Sequence, residues 1–415
     1  MKDFVKKVLS NGLVVYFYKN KTMKRVLVSY NIRYGSDGYF DQFYYDGKYY
    51  KLKPGMAHFL EHTLIEMCKY GNMIHKFLDK NYDFNGITYS DITTFYFVGI
   101  KGIKESTKEL IEMVDDPVFD RDAIENVKRA IIDEVRKNDD AKYRLAFNIN
   151  IRNLYKGYEA YPKHGNQLGS TGSTREITYE DAKACYDAYY NIENKFLVIA
   201  GNVDVDDYVY YLEEIFSHLK AHPNKMKPME YENYLEVRKK YQEVVKRVDQ
   251  DYLIATYKIR SEEDPLLLDL ALFIFLRSKF SNDTKFVTNL VEDKIIIGGI
   301  GWDTTYVRGD TLITFSADVL NKEEFMSRLD TELSDRKIDT EKFKLIHRNL
   351  IANQLAKLDN IYAQVKKYPL DICYSDKLFV LDLLKKTTYE EVSNIIASLN
   401  FDVKSVVLVT NKNRE

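Results

Sequence analysis

The sequence has 415 residues, a length for which two or three domains are expected. Lysine and arginine number 61 and aspartate and glutamate 63, so the formal net charge of −2 argues against broad nucleic-acid binding. Three widely spaced cysteines exclude a disulfide framework and a cysteine-based zinc site, and they fit a reducing, cytoplasmic setting.

Predicted strands and helices alternate along the first half of the chain. Strands are predicted at 13–18, 25–33, 93–100 and 195–200, and helices at 56–70, 104–114, 121–138, 178–190 and 207–219. Thr178, with Asp181 three residues later, has capping-box spacing and predicts the start of one helix. Residues 34–53 are rich in Gly, Asp and Tyr and are predicted to form a loop.

The second half repeats this alternation of strands and helices after a polar stretch at 222–236, which is the predicted linker. Strands are predicted at 252–257, within 307–319 and at 403–409, and helices at 266–277 and 341–356. The glycine-rich residues 298–301 lack a full phosphate-loop pattern and predict a bend. The prediction is therefore an α+β fold with a first domain at 1–221 and a second, similarly built domain at 237–415.

Membrane and export signals are not evident in the sequence. No stretch reaches the run of about 18 apolar residues expected of a membrane span. The N-terminal residues show no clear cleavage signal, so a cytoplasmic location is predicted.

Histidine is scarce, with seven in the chain, yet two lie four residues apart in the sequence His58-Phe59-Leu60-Glu61-His62. On a helix, His58 and His62 lie one turn apart and can present two imidazole nitrogens to one metal ion. Glu61 points to nearly the same side, and this is the H-x-x-E-H order of inverzincins. The alternative interpretation is a helix with two partly buried histidines that are hydrogen-bonded to Glu61.

A zinc site needs a third ligand and an open position. Glu134, on the predicted helix at 121–138, is the leading candidate because it follows an apolar stripe. Asp133 is the rival candidate on a different face of that helix. Zinc lowers the pKa of its water towards about 7, and Glu61 would then take the proton and pass it to the leaving amine.

At this motif the sequence resembles the insulinase/pitrilysin family of zinc metallopeptidases. The segments that carry the resemblance are 11–15, 34–36, 55–62, 168–170, 177–178 and 201–204. The resemblance implies two homologous α+β domains, with mainly antiparallel sheets, that enclose a substrate chamber. It implies zinc as the cofactor, bound by His58, His62 and Glu134, with Glu61 as the catalytic base.

The resemblance also implies how a peptide substrate binds. In such enzymes the peptide adds as a strand to a sheet edge. The matching stretch of this chain is Phe84-Asn85-Gly86-Ile87-Thr88, in which Asn85 and Gly86 stand at a position that holds substrate backbone. The resemblance implies Phe84, Asn85, Gly86 and Ile87 as the substrate-binding residues.

The sequence departs from the family pattern at several positions. Val127 stands where many members carry another glutamate seven residues before the distal ligand, and Val291 and Gly298 stand where single-chain members carry an Arg and a Tyr. Those two residues help to bind the scissile carbonyl, and one oxyanion donor is worth about 100-fold or more in rate.

This pattern is similar to bacterial small-subunit members that work in pairs. It implies a heterodimer in which a homologous, zinc-less partner supplies Arg and Tyr. The predicted function is a zinc endopeptidase subunit that cleaves short or precursor peptides, such as a leader peptide. The alternative is a non-catalytic scaffold or peptide-binding protein, and the complete set of His58, Glu61, His62 and Glu134 favours the peptidase.

Overall fold

The chain divides into two compact units in the computed structural model, which describes residues 4–36, 42–138, 142–155, 168–216, 236–307, 310–358, 360–361, 368–373 and 380–411. The first unit comprises Met1–Arg136, Asn166–Glu230 and Ala356–Asp376, and the second comprises Lys137–Gly165, Tyr231–Leu355 and Lys377–Glu415. The predicted linker at 222–236 lies outside the described residues except for residue 236. Each unit takes one segment from the other half of the chain, an exchange that no sequence pattern indicated.

The first unit is built on a six-stranded sheet in the order β1-β2-β8-β3-β7-β6. Its strands are β1 (Phe4–Val8), β2 (Val14–Lys19), β3 (Val26–Ile32), β6 (Asp83–Thr88), β7 (Thr93–Gly99) and β8 (Lys195–Gly201). Every residue of β3 and β8 is buried, so these strands form the centre of the core. All pairings in this sheet are antiparallel except that of β2 with β8.

Helices of the first unit cover its sheet and carry the H-x-x-E-H sequence. They are α1 (Met56–Glu66), α2 (Met73–Asp79), α3 (Ile103–Asp115), α4 (Arg121–Asn138), α6 (Thr171–Glu176), α7 (Tyr179–Tyr189) and α8 (Val205–Phe216), with a 3₁₀ turn at Ile192–Asn194. The capping box predicted at the start of α7 is confirmed, because Thr178 Oγ1 accepts from the Asp181 amide at 3.0 Å and Asp181 accepts from the Thr178 amide at 3.1 Å. The helix predicted at 121–138 is confirmed with the same bounds as α4.

The second unit has a five-stranded sheet in the order β11-β12-β10-β13-β9. Its strands are β9 (Tyr241–Val245), β10 (Tyr252–Ile259), β11 (Ile296–Val307), β12 (Asp310–Val319) and β13 (Lys404–Thr410). Its helices are α5 (Lys142–Leu154), α9 (Pro265–Phe280), α10 (Lys285–Glu292), α11 (Lys322–Ser334), α12 (Thr340–Leu358), α13 (Val380–Lys386) and α14 (Tyr389–Ser398).

The two units share one topology. Taken in chain order, β2, β3, β6, β7 and β8 correspond to β9, β10, β11, β12 and β13, and the two sheets then have the same strand order. Each sheet also contains one parallel pair at the matching place, β2 with β8 and β13 with β9. The repeated element order predicted from the sequence is therefore confirmed, and the fold class is α+β with two homologous halves.

The exchanged segments also correspond. Helix α5, from the first half of the chain, packs on β10 and β13, where its residues join a buried cluster with Ile254 and Val407. The helical residues 368–373, from the second half, belong to the first unit, where the rings of Tyr368 and Tyr18 lie 5.8 Å apart. The buried surface of each sheet is therefore completed by the other half of the chain.

In each unit, a cationic side chain in or next to a strand of the sheet donates a hydrogen bond to a backbone carbonyl of the exchanged segment. Arg33, just after β3, donates to the carbonyl of Cys373 at 3.2 Å, and Lys258, in β10, donates to the carbonyl of Leu154 at 3.0 Å. The backbone amides of these two cations bond residues just before β8 and β13 respectively, so they occupy equivalent positions of the two sheets. We refer to these two interactions as the carbonyl latches.

Two local sequence predictions are corrected or refined by the structure. The loop prediction for 34–53 is wrong at 42–51, where β4 (Gln42–Tyr45) and β5 (Lys48–Lys51) form a hairpin. Asp46 and Gly47 both have positive φ, 47° and 76°, as a two-residue hairpin turn requires. The bend predicted at 298–301 is a β-bulge, since the register of β11 on β12 shifts between Ile297 and Gly301.

Candidate metal centre

Helix α1 begins at a close backbone approach between Gly55 and the loop residue Leu168. Gly55 caps the helix with φ of 81°, and a Cβ there would lie 2.6 Å from the carbonyl oxygen of Leu168. A side chain at this position would displace the start of the helix. From that start the helix buries His58 and Glu61, which are 7% and 6% exposed, while His62 stays partly open to solvent.

Three side chains from two helices converge beside α1. Nε2 of His58 and Nε2 of His62 each lie 3.6 Å from Oε2 of Glu134 on α4. The two imidazole rings are 4.6 Å apart, and the candidate donor atoms all lie within 4.8 Å of one another. The three residues that the sequence motif and the resemblance suggested as metal ligands are therefore neighbours.

The rival candidate Asp133 does not join this group. Its side chain is 68% exposed, and Oδ1 lies 3.5 Å from the guanidinium of Arg136 on the same helix. Adjacent helical positions face directions about 100° apart, so Glu134 reaches the histidines while Asp133 faces solvent.

The donor set fits a zinc ion by its spacing. Two ligands at about 2.1 Å from a tetrahedral zinc lie about 3.4 Å apart, close to the 3.6 Å that separates each Nε2 from the Glu134 oxygen. Burial, followed by the neighbouring His62, lowers the pKa of His58 to about 3, so its imidazole is neutral at physiological pH. Neutral imidazole and carboxylate are the protonation states that bind zinc.

Glu61 lies beside the donor group without belonging to it. Its Oε2 accepts a 2.6 Å hydrogen bond from the hydroxyl of Thr88 in β6. Burial raises the pKa of Glu61, while the hydrogen bonds from Thr88 and the charge of His62 oppose that rise. A carboxylate whose pKa is moved toward neutrality is suited to accept and return a proton.

Two supporting contacts, of Glu66 with His62 and of Thr88 with Glu61, were not predicted from the sequence. Nδ1 of His62 lies 3.7 Å from Oε1 of Glu66, and this carboxylate can orient the ring as second partners of metal-binding histidines do. The four-residue spacing of His62 and Glu66 was a usable signal for this contact. Burial lowers the pKa of His62, but Glu66 and the charges of Glu61 and Glu134 outweigh it, so the net shift is upward. The role of Thr88 depends on strand placement and had no local signal.

The predicted substrate stretch lies on β6, at the edge of the sheet. Among the described residues β6 pairs with β7 alone, which leaves its other edge open. A Cβ added at Gly86 would lie 2.7 Å from Oε1 of Glu61, so the strand runs directly beside the candidate base. Phe84 stacks on Phe77 at 4.8 Å between ring centroids and faces the core, whereas Asn85 is exposed.

The positions where the family resemblance predicts Arg and Tyr lie in the second unit. Val291 is on α10 and 38% exposed, and Gly298 forms part of the bulge in β11. Val127, the other departure, is fully buried in α4 and packs in the core of the first unit.

In the part of the chain that the structure describes, no helix is both long and apolar enough to cross a membrane.

The chain is similar in sequence to proteins that are named as proteases. Residues 176–344 match the family model described as "Peptidase M16 inactive domain". Over 412 residues the chain is 26% identical to "Uncharacterized zinc protease YmfH" of Bacillus subtilis (strain 168), covering 94% of this chain and 92% of that protein. A relative from Rickettsia felis, named "Uncharacterized zinc protease", is 26% identical over 218 residues, 51% of this chain and 49% of that protein.

Solved structures share the fold at low sequence identity. A putative M16-like peptidase from Alicyclobacillus acidocaldarius superposes with a TM-score of 0.85 at 22% identity, covering 99% of this chain and 98% of that one. Pitrilysin superposes with a TM-score of 0.76 at 13% identity, and 99% of this chain covers 45% of the pitrilysin chain. Residues 176–344 thus match an M16 domain model, and the whole chain is similar in sequence to a protein named a zinc protease and in fold to a putative M16-like peptidase.

Proposed function

We propose that this protein is a zinc-dependent endopeptidase subunit that cleaves short or precursor peptides. The observation that carries the proposal is the convergence of the His58, His62 and Glu134 donor atoms beside the buried carboxylate of Glu61. Sequence relatives named as zinc proteases support the same chemistry.

In the proposed mechanism, three residues bind the metal and a fourth, Glu61, transfers the proton. Zinc bound by His58, His62 and Glu134 would supply Lewis-acid activation of water and of the scissile carbonyl. Thr88 holds Oε2 of Glu61, so the proton taken from the attacking water goes to Oε1, the oxygen beside Gly86. Glu61 then returns this proton to the leaving amine, which completes hydrolysis of the peptide bond.

The open edge of β6 provides a place for the substrate backbone. A peptide that pairs with residues 84–87 extends the sheet by one strand and gains regular backbone hydrogen bonds without a sequence requirement. Because Gly86 has no side chain, such a peptide can lie close to Glu61. Asn85 and Ile87 alternate with Gly86 along the strand, so their side chains lie on the opposite face from Glu61.

We further propose that the active form is a heterodimer with a homologous, zinc-less chain. Val291 and Gly298 provide no polar side chain where the resembled enzymes bind the carbonyl. This chain also matches about half of the length of pitrilysin, so two such chains would make up that length. The partner would supply the missing Arg and Tyr.

A non-catalytic scaffold or peptide-binding role is the second candidate. It is favoured by the match to a family model described as an inactive domain. That match spans residues 176–344 and therefore contains none of His58, Glu61, His62 and Glu134. The word "inactive" in the description of that family model therefore applies to a part of the chain that does not contain the candidate metal centre.

Metal analysis and one substitution test the peptidase. The purified chain should contain about one zinc per molecule, and Glu61→Gln should keep this zinc while abolishing peptide cleavage in the presence of the partner. A chain that binds no zinc, or a Glu61→Gln variant that cleaves at the wild-type rate, would refute the proposed mechanism. Full activity of the chain alone would refute the heterodimer and leave the metal site intact.

A further inference from the structure

The second unit contains a cavity at the place that corresponds to the candidate metal centre. The cavity has a volume of about 340 Å³ and is lined by residues of α9, β11 and α12. In chain order these elements are the counterparts of α1, β6 and α4, which carry the metal-ligand group and the substrate strand in the first unit. Phe273 and Arg277 on α9 have the same four-residue spacing as His58 and His62 on α1.

The described lining of this cavity provides no metal ligands and favours the binding of an apolar group. Among the described residues that line it, none is a histidine, a cysteine or a carboxylate. Its apolar wall consists of Phe273, Trp302, Ile346 and Leu350. The rings of Phe273 and Trp302 lie 5.6 Å apart at 68°, and Phe273 remains 36% exposed. An apolar ligand would remove this aromatic surface from water.

A cation and two amides supply the polar side of the cavity. Arg277 lies 3.9 Å from Asp283, and the two side chains are 50% and 76% exposed, so their pairing is weak. The guanidinium can therefore donate two parallel hydrogen bonds to a ligand carboxylate. Asn349 and Asn353, one turn apart on α12, add amide donors and acceptors suited to a peptide group.

The charges around the cavity orient a ligand. Asp269 lies one turn before Phe273 on α9 and accepts a 3.0 Å hydrogen bond from Thr304 in β11. A negative charge thus lies at the end of α9 away from Arg277. Arg277 is the one charged side chain among the described lining residues, so a ligand carboxylate is attracted to the Arg277 end, an attraction that the exposed Asp283 weakens, and is repelled from the Asp269 end.

We propose that this cavity binds the C-terminal residue of a short peptide that ends in an apolar side chain. The side chain would pack against Phe273 and Trp302, and the terminal carboxylate would pair with Arg277. The proposal goes beyond the zinc chemistry and does not depend on it, since none of the metal-site residues lines the cavity.

Trp302 makes the site directly observable, because it is the single tryptophan of the chain. Titration of the Glu61→Gln protein with the tripeptide Gly-Gly-Leu should give a saturable change in tryptophan fluorescence. The C-terminal amide of the same tripeptide should bind at least about tenfold more weakly, because it cannot form the charge-assisted pair. Arg277→Gln should weaken binding of the free acid by a similar factor.

Arg348→Gln is the matched control, because Arg348 is exposed on α12 and does not line the cavity. It should bind Gly-Gly-Leu with wild-type affinity. Absence of a saturable signal, or equal affinity for acid and amide, would overturn the proposal. Equal affinity in Arg277→Gln would overturn the carboxylate assignment. If Arg277→Gln does not fold, the comparison of acid with amide on the otherwise unchanged chain still decides the question.

Discussion

The hydroxyl of Thr88 donates a 2.6 Å hydrogen bond to Oε2 of Glu61, and both residues are buried. This contact joins the H-x-x-E-H helix to the edge strand that runs beside it. It fixes the rotamer of the candidate base and stabilises its charged form against the desolvation that burial imposes. The geometry of the candidate site therefore depends on β6 as well as on α1.

Thr88→Val should impair catalysis without removing zinc. A hydrogen bond to a charged group contributes about 1.5–3 kcal/mol, so kcat should fall by about 10- to 100-fold. Thr88→Ser keeps the hydroxyl and should retain most of the rate. Peptide-cleavage kinetics with parallel metal analysis measure both quantities. A Thr88→Val protein with wild-type kcat would show that the contact is not needed to position Glu61.

Gly86→Ala should disturb the same carboxylate from the other side. The new methyl group would lie 2.7 Å from Oε1 of Glu61 and 2.8 Å from Cδ1 of Ile65, so one of these side chains or the strand must move. We expect loss of cleavage and a decrease of about 1–3 kcal/mol in the free energy of unfolding. Urea unfolding and peptide cleavage test the two effects.

Gly172→Ala is the control for this substitution. Gly172 lies in α6, and a Cβ there meets only Ser170 Oγ, at 3.6 Å. Alanine is favoured over glycine within a helix, so this variant should unfold at the same or higher urea concentration and cleave peptides normally. If Gly86→Ala unfolds and cleaves peptides like Gly172→Ala, the close approach of β6 to Glu61 is not needed for stability or for cleavage.

Strongly periodic segments and cap residues were predictable from the sequence. The apolar stripe of α4 predicted its bounds, and Thr178 with Asp181 predicted the start of α7. The hairpin at 42–51 was missed although Asp46-Gly47 is a favoured turn pair, because the surrounding tyrosines and glycines suggested a loop.

Long-range relationships were not predictable by the same means. The helix α5 has a weak apolar stripe, and its packing on the sheet of the second unit depends on the three-dimensional path of the chain. The His58–His62 pair followed from helical spacing, whereas the contact of Thr88 with Glu61 follows from the placement of β6 along α1. Local periodicity reports which face of an element is buried but not which element covers it.

The third ligand can be assigned by comparing neighbouring carboxylates. Glu134→Gln should lower zinc affinity by more than about 100-fold, since loss of a second-sphere partner already costs 10- to 100-fold. Asp133→Asn should leave affinity unchanged, because Asp133 is 68% exposed and lies beside Arg136. Competition with a fluorescent chelator measures both affinities. The reverse ranking would reassign the ligand to Asp133.

The buried Lys258 should make the free energy of unfolding depend on pH. It is 1% exposed, donates to the carbonyl of Leu154 and lies 4.6 Å from the ring of Tyr155. Burial lowers its pKa to about 8, while the carboxylate of Asp310 opposes this and Arg260 adds to it. In the unfolded chain a lysine has a pKa of about 10.4, so between these two values the unfolded state binds more protons than the folded state.

The sign of the effect follows from this difference in proton binding. The contribution of Lys258 to the free energy of unfolding is fully present above the unfolded pKa of about 10.4 and is lost as the pH falls through about 8. The difference in stability between the wild type and Lys258→Met should therefore grow in favour of the wild type as the pH rises from 7 to 10. Urea unfolding at several pH values measures this difference.

Arg33→Met is the matched control, because Arg33 forms the equivalent carbonyl latch in the first unit. A guanidinium does not lose its proton in this range, so the stability difference for Arg33→Met should be the same at every pH tested. Both variants remove one latch and should destabilise through loss of a buried hydrogen bond. Only the lysine variant should make that loss depend on pH, and parallel curves for the two variants would show that Lys258 keeps its proton in the folded protein.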